Sequence, residues 1–320
     1  TVVIAGLAVA VVAFLVVGGS IALVSKTLGS GFVFDVLFLG LASIFALTAM
    51  GLTIIFGLMG VINLAHGAYY ALGAYIGIAM IEIVGGSAGF LLALLVVLIG
   101  TGIVGVATEV TVIRPLYDRD LISSLLLTFG LMLVLHEVIK FVWGVGSRSV
   151  GTPGFLDFTV PLLVVDYPAY RLFVIGMAAL VAIAVWLFLR LTSTGMVVRA
   201  ATENRDMVKA LGIDIDRVYT MVFALGVGIA GLAGILHAPM ISIYPEMGTS
   251  IIIQSFVVVV IGGLNSFRGS IVAAVLVGLA SALSYLVWPA ATDVAIFVLM
   301  AVFLLVRPEG IYGKSLGGLE

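Results

Sequence analysis

The run 170-YRLFVIGMAALVAIAVWLFLRL-191 carries charge only near its ends, at Arg171 and Arg190. A stretch of about 20 apolar residues is what an α-helix needs to cross a bilayer. Such a run is too long for a strand and shows no polar/apolar alternation, so it does not read as part of a barrel. In hydrocarbon only helices and closed barrels satisfy their own backbone hydrogen bonds. The rest of the chain has the same character, with 63% hydrophobic and 9% charged residues and a mean hydropathy of +1.37. Soluble domains carry about 25% charged residues. The expected fold is therefore an all-α polytopic membrane protein. A formal charge of −2 offers no basic surface for nucleic acid. The absence of cysteine removes disulfides, thiolate nucleophiles and thiolate metal sites. His66, His136 and His237 lie too far apart in sequence to suggest a metal centre.

Ten apolar segments can be marked, at roughly 1–24, 32–57, 61–81, 88–113, 121–143, 170–191, 218–238, 251–264, 269–288 and 291–307. The first lacks the basic start of a signal peptide and exceeds its usual apolar length, so it reads as a spanning helix. The eighth would rise only about 21 Å and reads as a half-helix or re-entrant piece, giving eight to ten spans with ten preferred. Basic residues mark the cytoplasmic side. Arg190, Arg199, Arg205, Lys209 and Arg217 cluster in or beside the loop at 192–217, Arg114 and Arg119 follow the fourth segment, and Arg307 and Lys314 lie at the C-terminus. Ten alternating spans put all three regions and both termini in the cytoplasm. Residues 144–169 become the longest external loop, and 239–250 is also external. Lys26, Lys140, Arg148 and Arg171 then lie near the outer face. The whole of 1–320 reads as one transmembrane domain.

The loop at 192–217 contains most of the polar helix-forming sequence. Thr202 suits an N-cap, with Glu203 and Asp206 in the first turn, where a helix dipole favours anions. Gly212 stands where a terminating glycine belongs. Met207, Ala210 and Leu211 form an apolar stripe of helical spacing. A helix tethered between membrane spans has no soluble core to bury that stripe against. An apolar stripe with a charged rim is the form a partner-docking surface takes.

Here the chain resembles a family. The run 199-RAATENRDMVKALGIDIDRVYTMVFALGVGIAGLAG-234 is similar to the cytoplasmic coupling loop and following helix of branched-chain amino acid ABC-transporter permeases. The stretches 59-MGVINLAHGAYYALGAY-75, 259-VVIGGLNSFRGS-270 and 304-LLVRPEGIYG-313 agree, and the resemblance, to the shorter of two permease types, covers roughly residues 32–313. It implies an importer in the cytoplasmic membrane of a prokaryote. This would contain a second, related permease, two cytoplasmic ATPases and an extracytoplasmic solute-binding protein, with ATP and Mg held by the ATPases and no cofactor on this chain. It further implies that Glu203, Asn204, Arg205, Met207, Ala210, Leu211 and Gly212 belong to a coupling helix seated on an ATPase.

Two nucleotide-binding patterns are decoys. Gly226, Gly228 and Gly231 spell G-x-G-x-x-G inside a continuous apolar helix, with no preceding strand, so the fingerprint fails its context. Gly226, Ala230 and Gly234 are instead spaced for close helix–helix approach. The tail 308-PEGIYGKS-315 lacks both the first glycine and the following helix of a P-loop. No catalytic residue is expected.

Among intramembrane polar groups, Glu137 and Lys140 at i, i+3 read as a local pair, and Glu109, about a turn from the cytoplasmic end and near Arg114, as a group that snorkels or pairs. Asn63 and His66 have no such neighbour and sit among small residues. Two readings stand for them: an interhelical hydrogen bond, worth about 0.6–2 kcal/mol, or a polar lining of the translocation path. Gln254, Ser255 and Asn265, around the short eighth segment, are candidates for the same lining, since broken helices expose backbone polar groups where they border a cavity. The expected function is a permease subunit importing amino acids or related small polar solutes. The rival is an ion-gradient carrier, which would call for intramembrane acids and inverted repeats.

Overall fold

The computed structural model describes residues 40–117, 119–162 and 165–312. Each apolar segment expected from residue 32 onward contains a helix: α1 (Gly40–Met59), α2 (His66–Val84), α3 (Gly86–Thr108), α4 (Leu121–Trp143), α5 (Ala169–Leu191), α8 (Ile215–His237), α9 (Met247–Gly262), α10 (Phe267–Val287) and α11 (Thr292–Val306). Two short helices, α6 (Ser193–Glu203) and α7 (Arg205–Ala210), occupy the polar loop. Eight helices among the described residues are long and apolar enough to span, and α9 is the shorter exception. Its 16 residues rise about 24 Å. The expected helix at 1–24 lies outside the described residues.

Helix α8 is the hub, packed against α1, α2 and α3. Its glycines explain how. A side chain at Gly226 would meet Gly51 and Ile55 of α1, at Gly228 Leu98 of α3, and at Gly231 the side chain of Thr101 on α3, while one at Gly73 of α2 would meet the backbone of Gly231. The G-x-G-x-x-G letters thus mark three helix contacts, with backbones close enough for dispersion to replace a hydrophobic drive that lipid does not supply. Around this centre α10 and α9 pack on α1, while α11 lies outermost, against α10 and α9. Much of α11 is exposed, including Val302 at 39%.

One boundary differs from expectation. Segment three begins as a helix at His66, and residues 60–65 form a non-helical link after α1. Gly60, at φ 65°, ends α1 in a left-handed conformation that favours glycine. The freed backbone is satisfied from α4, where the Thr128 hydroxyl accepts from Leu64 N (3.2 Å) and donates to the Ile62 carbonyl (2.9 Å). Non-helical backbone at membrane depth persists only when protein buries it in this way.

The two ends of the bundle differ. At one end the 144–169 loop holds a small antiparallel hairpin, β1 (Thr159–Leu162) and β2 (Val165–Pro168), an addition to the all-helical expectation. This loop is joined to the 239–250 loop by mutual backbone bonds of Arg148 and Ile243, each 2.8 Å. Ion pairs Arg148–Glu82 (3.2 Å), Lys140–Glu246 (2.6 Å) and Lys140–Glu137 (2.9 Å) surround this hairpin end. The opposite end carries α6, α7 and the turns before α4 and α10.

Candidate functional site

Helix α7 is short because two caps bracket it. Thr202 does not cap it, contrary to expectation. Thr202 lies within α6, where its hydroxyl donates to the Val198 carbonyl (2.6 Å). The cap is Asn204, whose Oδ1 accepts from Met207 N (2.9 Å); its extended backbone ends α6 and starts α7 two residues later than the expected cap. At the other end Gly212 is left-handed (φ 79°) and its N–H donates to the Lys209 carbonyl, the expected glycine stop. Val208 is buried and seats α7 on the bundle, while Met207 (60%) and Leu211 (72%) are exposed beside exposed Ala210. Glu203 and Asn204 are exposed and Arg205 is half-buried.

Beneath α7 lies a cluster that sequence reasoning reached only in part. The Arg205 guanidinium sits over the rings of Tyr219 (5.3 Å) and Tyr117 (5.7 Å). These rings meet edge to face at 4.9 Å. The Tyr117 hydroxyl donates to Glu109 Oε1 (2.5 Å), and the Thr220 hydroxyl donates to Oε2 (2.7 Å). Arg114 grips both oxygens of the same carboxylate, at 3.2 and 3.1 Å. Glu109 is fully buried and opens a π-helical turn, Glu109–Ile113, that continues α3. Such turns inside helices frequently occur at functional sites. The expected Glu109–Arg114 pair is therefore present. Its aromatic bridge to α7 joins residues that are nearly 90 positions apart in places, so local spacing could not reveal it. The only sequence signal was an acid and two tyrosines near membrane ends. Burial together with the Glu109 hydrogen bond pushes the Tyr117 phenol well above its ordinary value, so it stays a donor.

The candidate path residues divide into four places. His66 and Ser255 meet at α1: His66 Nε2 donates to the Thr48 carbonyl (3.1 Å), and the Ser255 hydroxyl is 2.8 Å from Thr48 Oγ1. Asn63, in the link before α2, is fully buried, and neither polar atom of its side chain has a partner among the described residues. Gln254 points the other way from Ser255, towards α11, where Nε2 lies 3.4 Å from Asp293 Oδ1. Asn265 is exposed at the α9–α10 turn, near Gly57. His237, by contrast, is buried with its Nδ1 2.6 Å from the Tyr70 hydroxyl, a packing contact.

Residues 33–306 match the family described as branched-chain amino acid transport system, permease component. The chain belongs to that family. It is 29% identical over 299 residues to the high-affinity branched-chain amino acid permease LivH of Escherichia coli K12, covering 86% of this chain and 92% of that one. LivH of Salmonella typhimurium is 30% identical with the same coverage. BraD of Pseudomonas aeruginosa is 28% identical, covering 86% of this chain and 94% of that one. A solved PsaBC complex from Streptococcus pneumoniae superposes with a TM-score of 0.47 at 12% identity, over 90% of this chain and 94% of that one. The permease is thus a multi-pass protein of the cytoplasmic membrane and a component of an ABC import system. The ion-gradient carrier is set aside by the same match.

Proposed function

We propose that this permease is one of two membrane subunits of an importer for branched-chain amino acids or related small polar solutes. A related second permease, two cytoplasmic ATPases and an extracytoplasmic binding protein complete it. ATP and Mg reside on the ATPases, and this chain makes no covalent change to its cargo. The loop at 192–217, with Glu203, Asn204, Arg205, Met207, Ala210, Leu211 and Gly212, is the coupling surface. The α7 end is then cytoplasmic, both termini face the cytoplasm and 144–169 faces outward. Charge supports this orientation: Arg114, Arg119, Arg190, Arg199, Arg205, Lys209, Arg217, Arg268 and Arg307 belong to the α7 end, against Lys140, Arg148 and Arg171 at the hairpin end.

The observation that carries the coupling role is α7 itself, a capped helix anchored by Val208 and Arg205 with its apolar stripe outward. Closure of the ATPases on ATP pushes α7. Arg205 passes the movement to Tyr117 and Tyr219, and so to α3 and α8, the helices at the centre of the bundle. The cavity between the two permeases then opens alternately to either side. Reconstitution into liposomes with and without the ATPases and binding protein tests this. Uptake should require all components and ATP. Uptake by this chain alone, indifferent to ATP, would overturn the reading.

A further inference from the structure

The last turn of α5 and the first turns of α6 form a corner at the α7 end of the bundle. Thr192 makes the corner, its hydroxyl accepting from Gly195 N (2.9 Å). Gly195 lies directly on α5, where a side chain would strike the Phe188 carbonyl and the Leu189 backbone. This close approach brings Arg199 back to α5, and its guanidinium donates to the Leu189 carbonyl. Arg190, the next residue of α5, places its own guanidinium 5.0 Å from the centre of the Trp186 ring. Both arginines are exposed, and neither is ion-paired with an acid among the described residues. Two cations therefore share one corner at the end of a helix long and apolar enough to span.

An apolar stripe leads away from that corner. Leu191, Leu187, Ile183 and Leu180 are exposed along α5, at spacings of three and four that put them on one face. The stripe is about 16 Å long, close to the ~15 Å of one leaflet's share of the hydrocarbon core. We propose that the corner and stripe bind one anionic phospholipid of the adjoining leaflet. Its phosphate sits between Arg190 and Arg199, whose planar forks match phosphate oxygens. Trp186 takes the interface level that amphipathic rings favour, and an acyl chain lies along Leu187, Ile183 and Leu180. Charge selects the lipid class, because two cations without an acid favour a net negative headgroup over a zwitterionic one. With α7 cytoplasmic, as proposed above, the leaflet is the inner one; the binding itself does not depend on that orientation.

Native mass spectrometry of the full chain in detergent, titrated with phosphatidylglycerol or phosphatidylcholine, tests the site. The unsubstituted chain should hold one phosphatidylglycerol more tightly than any phosphatidylcholine. Arg190→Gln with Arg199→Gln should weaken that binding about thirtyfold, the loss expected from two basic groups at an anionic surface. Arg190→Lys with Arg199→Lys should restore part of it. Arg217, at the same end and already paired with Asp214 at 2.8 Å, controls for diffuse charge, and Arg217→Gln should leave the affinity unchanged. Equal affinity for the two lipids, binding indifferent to the double glutamine substitution, or the same loss from Arg217→Gln would each overturn the site. Loss of phosphatidylglycerol when the chain is assembled with its partner subunits would overturn it too, by showing that a protein covers this corner.

Discussion

Glu109 shows how one buried charge is made tolerable. An isolated carboxylate in an apolar bundle would be lost to protonation or misfolding. Here Arg114, Thr220 and Tyr117 fill its acceptor sites. Replacing Arg114 with Ala removes the only cation hydrogen-bonded to this carboxylate among the described residues. We expect a loss of about 3–5 kcal/mol, the usual penalty for leaving half of a buried pair. Thermal unfolding in detergent measures it, and Glu109→Gln in the Arg114→Ala background should recover part of the loss. Tyr117→Phe tests the bridge more gently. It keeps the ring under Arg205 and deletes one hydrogen bond, worth about 1.5–3 kcal/mol when the acceptor is charged. If the cluster transmits motion, this variant should assemble normally and lose uptake per ATP hydrolysed; equal loss of both activities would point to stability alone.

Helix α7 and the hairpin-end contacts illustrate what single elements can do. Met207→Asp or Leu211→Asp places a charge on the exposed stripe without disturbing Val208. Membrane insertion should be unchanged while ATPase co-purification falls, by pull-down of the complex. A bulky Ala210→Trp should act in the same direction. Gly212→Val forces a β-branched residue to φ 79°, at a cost of about 1–2 kcal/mol, and should loosen the end of α7. At the opposite end, Lys140 holds the Glu246 carboxyl below its ordinary value of 4.5, chiefly through the hydrogen bond between them. A depressed carboxylate contributes stability above the unfolded value and loses it as pH falls through the folded one. Thermal stability should therefore be insensitive to this pair between pH 7 and about 5 and decline below about 4. Glu246→Gln should remove that part of the acid decline; an identical acid limb would show that the pair is irrelevant to folding.

At the scale of the bundle, orientation is the property most open to a direct check. In intact cells Ser149→Cys, on the hairpin-end loop, should react with an impermeant thiol reagent, whereas Asp206→Cys on α7 should react only after permeabilisation. The reverse pattern would invert the proposed topology. Much of this architecture was readable beforehand because lipid imposes a strict demand on the backbone. Long apolar runs such as 170–191 had to be helices, the 14-residue segment at 251–264 had to be a short one, and Gly212 had to end α7. Local pairs at small spacing, Glu137 with Lys140 and Glu109 with Arg114, were equally accessible. Thr202 was misread as the cap because Thr and Asn both serve, and the choice depended on where the chain turned against α5 and α8. The break at 60–65 was hidden because its backbone is satisfied by Thr128, 64 residues away. Apolar run length was enough to set the class of protein, since it follows from transfer free energies that depend on residue type alone. Which polar residues are buried together and which face water could come only from packing. Asn63, His66 and Ser255 look like Gln254 in one dimension, and only helix rotation and long-range neighbours send the first three into the core and the last towards Asp293.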